Sequence, residues 1–317
     1  MASSKGFSMR NDVPIIVLGM PRSGTTLVRR ILNAHPSISC PGESFVLRSA
    51  ARFLRSERVA DGIDYGVLGG LGALSFSAED VYARLREMCL SWHRDIAESE
   101  GKRRIAIKTA VDSFHIRDFA PAFDGHVKYV IVLRHGLDVA CSLNEFCGAM
   151  EGYIEELMPY IERYRRPMPA FVSAWSDVTA NMLDLLERQP GDAYCMRYED
   201  LAADPERAVA ALFGFLGEDM DENLLTRTFA PGEVKGLGDY KTYSFKTIEQ
   251  GSVNRWHELG PRVISEISDA INPMLRRAGY PALTASVETG DHSEAMRRHE
   301  LAMLLQQTRA QQPGNQA

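Results

Sequence analysis

Gly19-Met20-Pro21-Arg22-Ser23-Gly24-Thr25-Thr26 gathers two glycines, a cation and three hydroxyls into eight residues, a set suited to holding an anion. Where a tight loop feeds a strand into a helix, successive backbone N–H groups and the positive helix end converge on one point. Arg22 adds a planar fork of donors, and the hydroxyls of Thr25 and Thr26 add two more. A second candidate is Arg134, directly after the apolar run Tyr129–Leu133, with Ser142 eight residues on. A residue at the carboxyl end of a parallel strand faces the crevice where open α/β sheets bind ligands, and Ser142, about one turn into the next helix, can present its hydroxyl to the same anion. A third is Glu43 in Cys40-Pro41-Gly42-Glu43-Ser44, which a short chain path returns to the mouth of the anion site. A carboxylate there suits proton abstraction if partial burial raises its pKa. Singly these features read as a connecting turn, a surface arginine with a helix serine, and an exposed loop glutamate. Together they read as a site.

The glycine spacing is that of G-x-x-x-x-G-K-[ST], but Thr25 stands where the lysine belongs. That lysine bridges the β- and γ-phosphates in ATP-hydrolysing loops, and Arg134 replaces the metal-holding aspartate such enzymes carry at the second strand. The reading is therefore anion binding with no metal expected.

These residues need elements to carry them. Ile15–Leu18 is a continuous apolar run, too short for a helix, as a buried parallel strand reads. Thr25–Ala34 places Leu27, Ile31 and Ala34 on one helical face, and His35-Pro36 ends it. Tyr129–Leu133 predicts a second buried strand, with helix-compatible sequence from Leu137. Ile105–Ile107 and Ala193–Met196 are weaker strand candidates. Asp204-Pro205 reads as an N-cap with proline at the first helical position. Strands alternating with helices predict an α/β fold: a three-layer, P-loop-like arrangement with a central, mostly parallel sheet flanked by helices. Residues 44–100 and 147–190 break the alternation, mixing helical pattern with loops such as Gly66–Gly72. They are the expected helical acceptor-binding insertions. One domain over residues 1–280 would be followed by a C-terminal extension, 281–317, helical and then disordered.

Composition bounds the class. The chain has 317 residues, 45% hydrophobic and 25% charged, with a net charge of −6. That balance argues against a general nucleic-acid binder while allowing a local basic pocket. Five scattered cysteines show no CxxC pair, fitting a reducing compartment. No apolar stretch predicts a signal peptide or membrane span, so a cytoplasmic location is expected. The segment EAMRRHELAMLLQQTRAQQ reads as a solvated helix, with a partner-docking helix as the alternative.

PRSGTTLVRRILNAHP resembles the 5′-phosphosulfate loop and following helix of sulfotransferases that use 3′-phosphoadenosine 5′-phosphosulfate (PAPS). The resemblance covers about residues 12–280 and is closest to the branch of tyrosylprotein sulfotransferases and bacterial natural-product enzymes. It implies that Arg22, Ser23, Gly24, Thr25 and Thr26 hold the phosphosulfate end, and that Arg134 and Ser142 hold the 3′-phosphate. It places Tyr198 near the adenine, where a core tyrosine is the alternative. Gly251–Trp256 becomes the late loop over the nucleotide, with Arg255 as a phosphate contact and Trp256 as packing. Lys241 and Ser244 would join this lid, although the spacing there differs from the tyrosylprotein branch. Glu43 becomes the general base, and Lys108 the cation at the transferring group, assisted by Arg22. Ala110 stands where the steroid and phenol enzymes carry a catalytic histidine, which strengthens Glu43; His115 nearby is held in reserve.

The expected reaction moves a sulfuryl group from PAPS to a hydroxyl or amine of an unnamed small-molecule or biosynthetic-intermediate acceptor, releasing adenosine 3′,5′-bisphosphate. Two other readings remain: a P-loop nucleotide kinase or NTPase, and a non-catalytic nucleotide-binding protein.

Overall fold

The structure is a computed structural model describing residues 12–58, 64–230 and 250–283. Its centre is a sheet of five parallel strands: β1 (Ile15–Leu18), β2 (Ile38–Ser39), β5 (Arg104–Lys108), β6 (Lys128–Leu133) and β7 (Ala193–Arg197), in the order β2-β5-β1-β6-β7. All four residues of β1 are buried, as are all five of β5, because helices cover both faces of the central strands. β7, at an edge, is only partly buried. β1 meets β5 on one side (Ile16 opposite Ile107) and β6 on the other (Ile16 opposite Tyr129). The chain therefore reverses its direction of travel across the sheet at β1. In open α/β sheets such a reversal is where ligands bind, outside the carboxyl ends of the strands.

Helix α1 (Thr25–Ala34) packs on β1 and β5, burying Leu27, Val28, Ile31 and Leu32. The first insertion supplies α2 (Val46–Leu54), a short antiparallel pair β3 (Glu57–Arg58) and β4 (Asp64–Tyr65), α3 (Val67–Ala73) and α4 (Ala78–Ser99). The segment Gly66–Gly72, expected as a loop, is mostly the helix α3. Its glycines disfavour a helix, but contacts with α2, β4 and α4 hold its two turns even though none of its residues is buried. A reciprocal cap, Ser77 with Asp80, starts α4. A 3-10 turn over Ala110–His115 and α5 (Ile116–Phe123) follow β5.

The chain forms two compact units. The first runs to Arg134 and resumes at Val178–Gln250; the second comprises His135–Asp177 and the residues from Gly251. The second holds α6 (Gly136–Ala149), α7 (Met158–Tyr164), the first half of α8 (Pro167–Arg188) and α12 (Pro261–Arg277). Gly136 starts α6 so close to Trp175 that a Cβ there would lie 2.7 Å from the ring, and α12 buries the stripe Ile264, Ile267, Ile271 and Leu275. After α8 and β7 come α9 (Tyr198–Ala203), α10 (Pro205–Leu216) and α11 (Leu224–Thr228). Asp204 caps α10 as its sequence predicts, accepting the Arg207 N–H at 3.1 Å, and Gly217 closes the helix in the left-handed region. Among the described residues no helix is long and apolar enough to cross a membrane. Lys241, Ser244 and the C-terminal segment expected to be helical lie outside the described residues.

Candidate active site

The loop between β1 and α1 is folded against the carboxyl end of the sheet. Its first residue cannot carry a side chain, because a Cβ on Gly19 would lie 2.6 Å from the Ser23 hydroxyl and 2.9 Å from the Val132 carbonyl. Ser113 pins the same residue from the neighbouring 3-10 turn, accepting the Gly19 N–H at 2.8 Å and donating to its carbonyl at 3.1 Å. Arg22 (φ 76°) and Gly24 (φ 98°) both lie in the left-handed region, strained for the arginine and natural for the glycine. Gly24 caps α1, whose first residues Thr25 and Thr26 are buried. Ser23 is 1% exposed, and its hydroxyl has no hydrogen-bond partner among the described residues. A buried polar group of this kind calls for a partner, such as a water or a bound anion.

Lys108, the last residue of β5, reaches the loop. Its Nζ donates to Thr26 Oγ1 at 3.1 Å and to Glu43 Oε1 at 2.6 Å, with a side chain that is fully buried. Glu43, by contrast, keeps 18% of its side chain exposed, so a partly accessible side chain is anchored to a buried cation. The short path from α1 does return Glu43 to the anion loop.

Four contacts hold the segment that carries this carboxylate. Glu43 is bound by Lys108. The Ser44 hydroxyl lies 3.1 Å from His93 Nε2. His93 Nδ1 faces the Cys89 carbonyl at 3.2 Å, which can only accept, so Nδ1 carries the proton and Ser44 donates to Nε2. Burial holds the His93 imidazole below its ordinary pKa, in keeping with that neutral tautomer. Phe45, in the left-handed region, donates its N–H to Thr109 Oγ1 at 3.3 Å, and Arg48 donates its N–H to Asp112 Oδ1 at 3.2 Å.

On the other side of the loop, Arg134 follows β6 and donates to the Arg22 carbonyl at 2.8 Å. Its guanidinium lies 4.7 Å from the centre of the Tyr198 ring, and that ring covers Gly24. Tyr198, the first residue of α9, is buried. The loop, Arg134 and Tyr198 are thus one packed cluster.

In the second unit, Ser142 is buried on α6. It is the seventh residue of that helix, nearly two turns in rather than one. Asp138, in the first turn of α6, receives the N–H groups of Asn254 (2.9 Å) and Trp256 (3.1 Å) and so fixes the late turn. Trp256 stacks on His135, with ring centres 5.2 Å apart. Arg255 forms a two-pronged ion pair with Glu145, so a phosphate contact by this arginine must compete with that carboxylate.

Residues 14–222 match the Sulfotransferase family. The chain belongs to that family. This sulfotransferase is 25% identical over 284 residues to protein-tyrosine sulfotransferase A of Caenorhabditis elegans, covering 88% of this chain and 70% of the relative. It is 23% identical over 290 residues to nodulation protein NoeE of Sinorhizobium fredii, covering 85% and 67%. In fold it is similar to the sulfotransferase domain from the curacin biosynthetic pathway, at 20% identity and a TM-score of 0.58 over 86% of this chain and 100% of that domain.

Four residues of this sulfotransferase's site escape a reading of the sequence: His93, Thr109, Asp112 and Ser113. The one available signal was the polar cluster T-x-x-D-S directly after β5, where strand ends face the crevice. Burial pushes the Asp112 carboxyl up to about 8, helped by the charge of Glu43 and opposed by the Arg48 N–H. The folded form therefore keeps a proton that the unfolded chain releases above the ordinary carboxylate range. Its contribution to stability is fully present at acid pH and is lost as pH rises toward about 8. Asp112→Asn escapes this loss while keeping an acceptor for Arg48. Its melting temperature relative to wild type is expected to rise from pH 5 to pH 8, by at most about 1.4 kcal/mol of stability per pH unit. Thermal melts at both pH values check this; a pH-independent difference would show that Asp112 is ionised throughout.

Proposed function

We propose that this sulfotransferase transfers a sulfuryl group from PAPS to a hydroxyl or amine of a small-molecule or biosynthetic-intermediate acceptor in the cytoplasm, with Glu43 as general base. The observation that carries the reading is the continuous chain Glu43–Lys108–Thr26, which joins a partly exposed glutamate to a buried cation and to the anion loop. The residues present fit such a donor. The loop of Arg22, Ser23, Gly24, Thr25 and Thr26 has a buried hydroxyl awaiting a partner, and would hold the phosphosulfate end. Arg134 and Ser142 would hold the 3′-phosphate. Tyr198 would support the adenine end, and Ser244, Arg255 and Trp256 would belong to the late loop.

The donor supplies an activated sulfuryl group and leaves as adenosine 3′,5′-bisphosphate. The chain itself has three tasks. Glu43 removes the proton from the acceptor hydroxyl as the new S–O bond forms. Lys108 and Arg22 place positive charge where the bridging oxygen becomes negative, fixed in advance by burial and by the loop. The loop N–H groups and hydroxyls align the donor for in-line transfer.

Calorimetric titration with adenosine 3′,5′-bisphosphate, against 5′-AMP, ADP and ATP with magnesium varied, tests the donor. Tight binding that needs the 3′-phosphate but not magnesium is expected, falling about 100-fold in Arg134→Ala with the loss of a charged, stacked contact. Preference for magnesium-ATP would establish a nucleotide kinase instead. An acceptor screen then spans small alcohols, amines and a tyrosine peptide, the last because the Caenorhabditis elegans relative is named a protein-tyrosine sulfotransferase.

A further inference from the structure

The 3-10 turn after β5 touches both halves of the site. Ser113 pins the start of the anion loop, while Thr109 and Asp112 receive backbone N–H groups from the segment bearing Glu43. That segment needs fastening. Phe45 sits in the left-handed region at φ 57°, which a bulky L-residue adopts only when its surroundings impose it. Phe45 also lies directly before the first turn of α2, whose opening N–H groups have no partner within the helix. Asp112 takes one of them, from Arg48, at a side chain that is 1% exposed. A surface helix would normally leave such a donor to water or to a local cap, and α2 has no side-chain cap of its own.

We infer that Asp112 and Thr109 are positioning residues for the general base: they fix the backbone from Phe45 to Arg48 so that the Glu43 carboxylate is delivered to Lys108. The inference rests on the reading of Glu43 given above. The geometry has an internal logic. Lys108, Thr109 and Asp112 lie within five consecutive residues, and they bind Glu43, Phe45 and Arg48, which lie within six. The lysine at the leaving oxygen and the clamp on the base therefore move as one piece. The clamp is suited to sit beside the base because burial favours the neutral form of Asp112, which adds no second anion next to Glu43. Neither Asp112 nor Thr109 is required to touch either substrate, so their loss should disturb the chemical step and spare the nucleotide.

The test compares Thr109→Val, Asp112→Ala, Asp112→Asn and Glu43→Gln in the full chain, with kcat, KM, affinity for adenosine 3′,5′-bisphosphate and melting temperature measured for each. Thr109→Val and Asp112→Ala are expected to lower kcat by about 10- to 100-fold, as a misplaced base does, with bisphosphate affinity within about threefold of wild type. Asp112→Asn, which keeps the acceptor for Arg48, should retain at least about half of kcat. In a Glu43→Gln background, Asp112→Ala should cause no further loss, because a residue acting only through the base has nothing left to act on. Unchanged kcat in Thr109→Val and Asp112→Ala, or losses that multiply in the double variant, would overturn the inference. So would parallel loss of kcat, bisphosphate affinity and melting temperature, which marks a general structural role. Full turnover by Glu43→Gln would instead sink the reading of Glu43 as base, a result distinct from all of these.

Discussion

Glu43→Gln is expected to lower kcat by about 1,000-fold, within the range that a positioned general base contributes. The substitution keeps the shape of the side chain and an oxygen for Lys108 Nζ, whose 2.6 Å contact anchors the wild-type carboxylate. It removes the capacity to accept a proton from the acceptor, together with the charge that pairs with Lys108. Glu43 meets the anion loop through Lys108, whose bond to Thr26 the glutamine leaves in place, so affinity for adenosine 3′,5′-bisphosphate should stay within about threefold of wild type. Single-turnover kinetics with PAPS, beside calorimetry, separates the two quantities. A variant that turns over normally would remove Glu43 from the mechanism; one that loses nucleotide affinity in proportion would make it a binding residue.

Gly24→Ala is the second substitution with a large expected effect, and it acts by steric transmission. At φ 98° an L-residue pays for a conformation that glycine adopts freely, roughly 1–2 kcal/mol. A Cβ at this position would also lie 2.4 Å from the Tyr198 ring, a distance no structure accommodates without movement. Tyr198 is buried and packs against Arg134, so the ring cannot swing away without releasing the guanidinium. The substitution should therefore cost at least about 100-fold in bisphosphate affinity, the equivalent of about 2.7 kcal/mol. The far-UV spectrum should be preserved, because the sheet behind the loop does not depend on the methyl-free position. A Gly24→Ala protein that binds as wild type would show that Tyr198 yields and that Arg134 holds its place without it.

The sequence carries the scaffold legibly where local pattern and tertiary role coincide. β1 and α1 appear with the boundaries their residues predict, because an uninterrupted Ile-Ile-Val-Leu run and a glycine-punctuated helical stripe each have one reading. α10 likewise announces its start through Asp204-Pro205. Legibility fails where a partner decides. Gly136 reads as a poor helix former, yet it begins α6 because only a residue without a side chain fits against Trp175. The glycines of α3 suggest a loop for the same local reason. In the site, Glu43, Lys108 and Arg134 are visible through the resemblance to known sulfotransferases. Thr109, Asp112 and Ser113 are not, since their partners stand 64 or 94 residues away and the polar cluster they form after β5 does not say what they bind.

The central place of β1 also governs when this protein can come into being. The strand that launches the anion loop is made first, yet its neighbours β5 and β6 are on the order of a hundred residues later in the chain, and the ring over Gly24 comes from Tyr198. During synthesis, Ile15–Leu18 must wait as an unpaired apolar ribbon until Lys108 has emerged and with one side unpaired until Leu133 follows, and the loop stays open on one side until β7 and α9 are made. Such a chain closes long loops before any native pairing rewards it, so its folding should be slow and its nascent form a client for chaperones. No fragment ending before Tyr198 can assemble the loop cluster. The site is the last thing this sheet completes, although its first residues are among the earliest made.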